Sequence, residues 1–316
     1  MKKAPNFKAM FEEIEKSRGI KEADLIAALK DALMSAAKKR FPDHENLDVQ
    51  ISPDGAAKIF DKGKEVTPAD FGRIAAQTAK QVITQRLREA EKEVTFEEYS
   101  GKVGELINVT VQRREGAGYL INLGRIETFL PISEAIPGEI LKPKERVKLI
   151  ILEVKKTSKG PLIVVSRSHP DFVKKLFYIE IPEFEQKILE IKSIAREPGR
   201  RTKVAVFSND KDVGAVSTCV GPMGSRIQNV TREMGPERVD IIEWSEKPEV
   251  FIANALAPAK GAKVTVNEPD KSSKVALPEK ELSLAIGKEG QNVRLAAKLT
   301  GYRIDILAQE KPEKKE

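Results

Sequence analysis

The chain has 316 residues, 40% of them hydrophobic and 33% charged, with a net charge of +7; that suits about two to four charged, globular domains. No run of about 18 apolar residues is present, which excludes a helical membrane span, and MKKAPNFKAMFEEIEK lacks the apolar centre of a secretory signal. One cysteine, Cys219, precludes an internal disulfide and, with only two histidines, leaves no zinc cluster, so a reducing cytoplasm, no metal and no cofactor are expected.

Residues 1–100 carry no net charge. Phe7, Met10, Phe11 and Ile14 recur at helical spacing, and Gly19 ends that pattern. Leu25, Ala28, Leu29, Ala32, Leu33 and Ala36 make a second apolar stripe. Leu47, Val49 and Ile51 alternate as a strand does, and Pro53-Asp54-Gly55 signals a turn. A long helix is expected from about Pro68, with Phe71, Ile74, Ala75, Thr78 and Val82 on its inner face. His44 lies in a loop and has no nucleophile or metal partner in sequence.

From Gly101 to Ser168 the pattern changes to short alternating runs punctuated by glycine, and the net charge is +5. Five strands are expected, with tight connections at Glu115–Gly118 and Thr157–Pro161. The spacing fits a five-stranded OB-type barrel, or a generic small β domain. Arg113, Arg114, Tyr119 and Arg125 are candidates for RNA contact, because OB sheets hold single strands by stacking on aromatics beside basic residues. Arg113-Arg114 equally suits a solvated hairpin end, and Phe129, a further candidate for RNA contact, lies in an FLP run that reads more readily as core.

Residues 169–316 contain an internal repeat. Each half reads as helix, two strands, a glycine-paired helix and a strand. Gly221-Pro222-Met223-Gly224 aligns with Gly287-Lys288-Glu289-Gly290, 66 residues later. Arg226 and Gln228 fall where Asn292 and Arg294 fall. A glycine pair before a helix lets backbone approach a ligand without a Cβ clash and points N–H groups outward at an anion. A Walker loop needs G-x-x-x-x-G-K-[ST], which neither copy supplies. A plain turn explains a single pair; a pair repeated in the same frame favours two KH domains, whose Gly-x-x-Gly loop clamps single-stranded RNA. The candidate contacts are Gly287, Lys288, Glu289, Gly290, Gln291 and Arg294 in the second copy. In the first they are Gly221, Pro222, Met223, Gly224, Ser225 and Arg226. Arg196, Arg200, Arg201 and Lys203 flank a Pro-Gly turn between two strands and join the list, although a solvated turn also accounts for them. His169 precedes a proline at a junction, and Trp244 reads as a packing anchor.

These stretches together resemble the NusA family of bacterial transcription elongation factors along nearly the whole chain. GIKEADLIAALKDALMSAAKK and AKQVITQRLREAE are similar to its N-terminal domain. TVQRREGAGYLINLGRIETFLP and VVSRSHPDFVKKLF are similar to its barrel, of the ribosomal S-one class, and to the junction after it. IKSIAREPGRRTKVAV, ERVDIIEW, ANALAPAK and ELSLAIGKEGQNVRLAAKLTGYRIDI are similar to its tandem KH block. The fold expected is multidomain α+β. Residues 1–100 form a mixed N-terminal domain, 101–168 the barrel, 169–245 and 246–308 two type II KH domains (α-β-β-α-α-β), and 309–316 a disordered tail.

The resemblance implies a cytoplasmic, non-enzymatic monomer. Its partners would be RNA polymerase, through residues 1–100, nascent single-stranded RNA, and further Nus-type factors. Its role would be to modulate pausing, termination and antitermination. Two departures from the family pattern stand out. The GPMG loop has no basic residue, and Pro222 lacks an N–H, so the first loop is expected to clamp RNA less well than GKEG. The chain also stops after the second KH copy, so functions of the acidic C-terminal repeats found in some members are expected to be absent if 316 residues is the natural length.

Two rivals remain at this level. A fragment of a phosphorolytic exonuclease would also carry KH and barrel modules, and would shorten labelled RNA in the presence of phosphate and Mg²⁺; residues 1–100 do not resemble such a catalytic core. A ribosome-associated RNA-binding protein would leave core polymerase alone in a pull-down.

Overall fold

Glu22 and Asp24 open the first long helix, and Lys38, Lys39 and Arg40 close it, each sign placed where the helix dipole favours it. The structure is a computed structural model and describes residues 11, 13–16, 20–52 and 56–309. Phe7, Met10, Gly19, the Pro53–Gly55 turn and residues 310–316 lie outside the described residues. Two compact units divide the chain. One runs to Tyr99 and includes Lys156–Pro161; the other holds Ser100–Lys155 and Leu162 onward.

In the first unit, helix α1 (Glu22–Arg40) buries Leu25, Leu29, Leu33 and Ala37, one residue per turn. Strands β1 (Leu47–Ile51), β2 (Ala57–Asp61) and β3 (Lys64–Glu65) form an antiparallel sheet in which Val49 and Ile59 pair and are fully buried. Helix α2 (Phe71–Ser100) completes the core through Phe71, Ala75, Ala79 and Ile83. Its buried stripe therefore includes Ala79 and Ile83, with Ile74 and Val82 only flanking it. Phe11 and Ile14 pack into the same core. His44 bonds Asp61 at 2.7 Å.

Strands β4 (Leu106–Glu115), β5 (Gly118–Asn122), β6 (Glu127–Pro131), β7 (Arg146–Thr157) and β8 (Gly160–Ser166), which belong to the second unit except for residues 156–161, make one sheet in the order β6-β5-β4-β7-β8. The two edge strands meet where the Thr128 hydroxyl donates to the Ile163 carbonyl at 2.5 Å, so the sheet is nearly closed and barrel-like. Val109, Val111, Ile121, Leu130, Leu149 and Ile163 fill it.

The two expected repeats follow. The first has α3 (Pro170–Glu180), β9 (Leu189–Glu197), β10 (Arg201–Ser208), α4 (Ala215–Val220), α5 (Ser225–Met234) and β11 (Arg238–Glu243). The second has α6 (Pro248–Ala255), β12 (Lys263–Asn267), β13 (Ser272–Leu277), α7 (Leu282–Ile286), α8 (Gln291–Thr300) and β14 (Arg303–Ala308). In each, a hairpin of antiparallel strands is extended by a third strand parallel to its second. The α-β-β-α-α-β order is the one expected. Gln309, assigned in advance to the tail, is instead tied down, its N–H donating to the Leu277 carbonyl at 2.8 Å.

One sheet is covered on both faces. Ile191, Val204 and Val206 pack against α3, α4 and α5. Ala195, Ala205 and Ile242 share a second core with Phe251, Ile252, Leu295, Ala296 and Leu299 of the second repeat. The small alanines let α8 approach β9 and β10 closely. Strand β10 accordingly buries five residues in a row, Thr202 to Val206, where a one-faced strand would alternate.

Candidate nucleic-acid interface

Each glycine loop breaks one helical stretch in two. Gly221 (φ 74°, ψ 172°), Met223 (50°, 26°) and Gly224 (77°, 15°) match Gly287 (73°, 174°), Glu289 (55°, 26°) and Gly290 (71°, 15°) to within 6°. The first glycine of each pair is required twice over. Its φ is positive, and a Cβ there would lie 2.7 Å from Arg226 Cγ in one loop and 2.9 Å from the Asn292 backbone nitrogen in the other. The middle residues of both loops point into solvent: Pro222 and Met223 in one, Lys288 and Glu289 in the other, with Met223 100% exposed.

The two loops differ in what their helices do next. Asn292 is buried and donates to the Leu284 and Ala285 carbonyls at 3.1 Å, locking α7 to α8. At the equivalent place Arg226 donates to the Thr218 carbonyl and to both Glu183 oxygens, all at 3.0 Å. Arg226 is thus a half-buried brace, and its expected role as a phosphate contact must be corrected on that ground. Arg294, two residues further along α8, lies at the surface, as its counterpart Gln228 does in the first repeat. Its Nη1 holds the Glu289 carbonyl at 3.0 Å, and its Nε meets Glu197 at 2.7 Å.

The β9–β10 turn lies against the second loop. Arg200, exposed, reaches Glu289 at 3.4 Å, and Gln291 donates to Glu197 at 2.8 Å. The basic turn, Gly287–Gly290, Gln291 and Arg294 therefore form one surface. Lys288 is exposed and makes no ion pair with a described residue. Arg201 pairs with Asp240 at 2.7 Å and keeps part of its side chain at the surface. Arg238, not singled out from the sequence, is exposed and sits directly across from Arg201 in the strand register. Its signal was present in ERVDIIEW, but its nearness to the turn depends on the parallel β10–β11 pairing.

Three expected contacts lie in the interior. Arg196 has no side-chain exposure; Glu237 takes its Nε and Nη2 at 2.9 Å each, and the His169 carbonyl takes Nη1 at 2.8 Å. Lys203 is buried beneath the second repeat, with its Nζ 3.1 Å from Asp240 and 2.9 Å from the Ala257 carbonyl. Burial lowers its pKa, and Asp240 opposes that shift. Tyr119 is a barrel core residue, 3% exposed. Phe129, read from the sequence as core, is 41% exposed. Its ring covers Gly118, where a Cβ would come within 2.4 Å of Cζ. Arg113, Leu120 and Phe129 are register partners across β4, β5 and β6 and so share one face. Arg113, Arg114 and Arg125 are exposed, Arg113 with Glu115 at 3.0 Å. Ser225 is exposed at the start of α5. Trp244 packs edge-on against Phe207, ring centroids 5.3 Å apart, as an anchor does. His169 caps α3, accepting from the Asp171 N–H.

An OB-like barrel joined to two KH domains through shared cores defines a tandem-KH protein, a class built around single-stranded nucleic acid. Comparison with known proteins narrows the class. Models of the NusA-like first and second KH domains match residues 167–244 and 248–314, and the NusA N-terminal domain matches 6–68 and 57–93. The transcription termination/antitermination protein NusA of Bacillus subtilis is 43% identical over 94% of this chain and 89% of its own length. Those of Mycobacterium bovis and Thermus thermophilus are each 38% identical, over 96% and 91% of this chain and 93% and 86% of their own. The chain belongs to the NusA family.

Among the described residues no helix is long and apolar enough to cross a membrane, and no cluster of His, Cys, Asp and Glu could hold a metal ion.

Proposed function

We propose that this protein is a non-enzymatic transcription factor that binds RNA polymerase and holds nascent single-stranded RNA, altering pausing, termination and antitermination. Its relatives carry the name transcription termination/antitermination protein. The observation that carries the reading here is the pair of superimposable glycine loops in KH domains that share one apolar core. Two loops fixed relative to each other favour an extended strand over an isolated nucleotide, because the second contact costs little further ordering. Residues 1–100 dock on polymerase, and the neutral charge there against the basic barrel supports that division. Phosphates lie against Gly287–Gly290 and Arg200, and bases against the neighbouring helix and strand edge.

The test is single-round transcription through a pause site and a hairpin terminator, with and without the protein. Pause lifetime and the terminated fraction should change; no change in either, at protein concentrations that saturate polymerase, sinks the reading.

The barrel contributes through Phe129 rather than Tyr119. Phe129→Ala should weaken binding to a labelled single-stranded RNA by about 1–3 kcal/mol, the range for loss of one base–aromatic stack. Tyr119→Phe should leave binding unchanged. An unaltered Kd for Phe129→Ala in fluorescence anisotropy would restrict the ring to covering Gly118.

A further inference from the structure

Glu197 ends β9 in the first KH domain, yet its carboxylate belongs to the second. Oε1 accepts from Arg294 Nε at 2.7 Å and Oε2 from Gln291 Nε2 at 2.8 Å. Gln291 and Arg294 are three residues apart on α8, hence on one face, directly after the glycine loop. The loop's own donors therefore already grip an anion through two oxygens. Across the same junction Arg200 of the first domain faces Glu289 of the second at 3.4 Å. The cations Arg200 and Arg294 thus come from different domains and meet at one junction, with Lys288 next to Glu289 in the loop.

This carboxylate is not needed to hold the domains together. The shared apolar core does that, helped by the Ser193 hydroxyl on the Leu299 carbonyl at 2.9 Å and Lys203 on the Ala257 carbonyl at 2.9 Å. Glu197 is 17% exposed and Arg294 44%, so the pair sits at the solvent boundary, where an ion pair contributes little net stability. Its pKa is lowered by the Arg294 hydrogen bond above all, with Gln291 adding to the effect against burial, so it stays ionised at neutral pH. A guanidinium N–H donates to a carboxylate oxygen and to a phosphate oxygen alike.

We propose that Glu197 is a resident substitute for an RNA phosphate in a composite site built by both KH domains. In the free protein it occupies Gln291 and Arg294. A phosphodiester of single-stranded RNA displaces it, with Arg200 and Lys288 alongside. The carboxylate then sets how tightly, and with what salt dependence, the second loop binds. This rests on the RNA-binding reading above.

The experiment is anisotropy with a fluorescein-labelled 12-nucleotide single-stranded RNA and the full chain, across a salt series. Glu197→Gln is compared with Glu153→Gln, which removes an equal charge from an exposed pair with Lys155. Glu197→Gln should bind about 3- to 10-fold more tightly than the control, and its log K against log salt should steepen by about 0.7, one more phosphate neutralised. The extra gain should vanish in an Arg294→Gln background. Glu197→Asp keeps the charge but shortens the reach, and should give a smaller gain in the same direction, which covers the case of a poorly folding glutamine variant. Equal gains for Glu197→Gln and Glu153→Gln, or weaker binding by Glu197→Gln, overturn the exchange and leave Glu197 a positioning residue. Failure of the parent chain to bind the RNA at all would instead overturn the RNA-binding reading.

Discussion

A chain carrying Lys288→Asp and Glu289→Asp should bind single-stranded RNA about 1–3 kcal/mol more weakly than its parent, roughly a 5- to 150-fold rise in Kd. The matched change in the other loop, Pro222→Asp with Met223→Asp, also lowers the net charge by two. It should cost distinctly less. Backbone does not distinguish the loops, since their dihedrals agree to within 6°. What distinguishes them is the charge around each. Lys288, Arg294 and Arg200 surround the second loop. Near the first, Arg226 is committed to Glu183 and the Thr218 carbonyl, and Pro222 offers no N–H where Lys288 offers one. Both sites are exposed, and aspartate tolerates the left-handed conformation at Glu289 and Met223, so the thermal midpoint should hardly move. Anisotropy at fixed salt decides the matter: equal losses at the two loops would refute the ranking.

The parts of this interface that could be read from the sequence are those set by local rules. The glycine pairs before helices and the basic turn announce themselves within short windows, and the repeat shows in a matching order of strands and helices 66 residues apart. The misplaced residues were those whose surroundings come from far along the chain. Lys203 lies two residues from Ala205 on the same strand and so shares its face. Nothing local says that this face is covered by α8, which begins at Gln291. Arg196 looked like part of a basic turn because its partner, Glu237, is 41 residues away. Tyr119 and Phe129 exchanged expected roles for a similar reason. Alternation places them on opposite faces of the sheet, but which face curls inward depends on closure between β6 and β8. The hydroxyl of Tyr119 did not keep it at the surface, while Gly118 beneath Phe129 marks where an aromatic ring lies outside.

The same long-range partnership carries the largest expected effect on stability. Glu237→Ala should destabilise the first KH domain by about 3–5 kcal/mol, the range for breaking a buried ion pair from one side. Both side chains of the pair have no exposure. Besides Arg196, Glu237 accepts the Gly199 N–H at 2.9 Å and the Thr202 hydroxyl, so one carboxylate ties the β9–β10 turn to the start of β11. Its removal strands a guanidinium left with one hydrogen bond, to the His169 carbonyl, and the face of the Phe172 ring. Arg196→Met should cost less, because the carboxylate keeps its other two donors. Trp244 is the single tryptophan, follows β11 directly and packs between Phe207 of the first KH domain and Phe251 of the second, so its fluorescence during urea unfolding reports the joined KH pair. A loss below about 1 kcal/mol for Glu237→Ala, or a greater loss for Arg196→Met, would contradict the account. The turn that Glu237 holds also carries Glu197 and Arg200 to the second glycine loop. Glu237→Ala should therefore weaken RNA binding even at temperatures where Trp244 still reports a folded domain, with the loss tracking the turn rather than the charge, since the substitution itself makes the protein more positive.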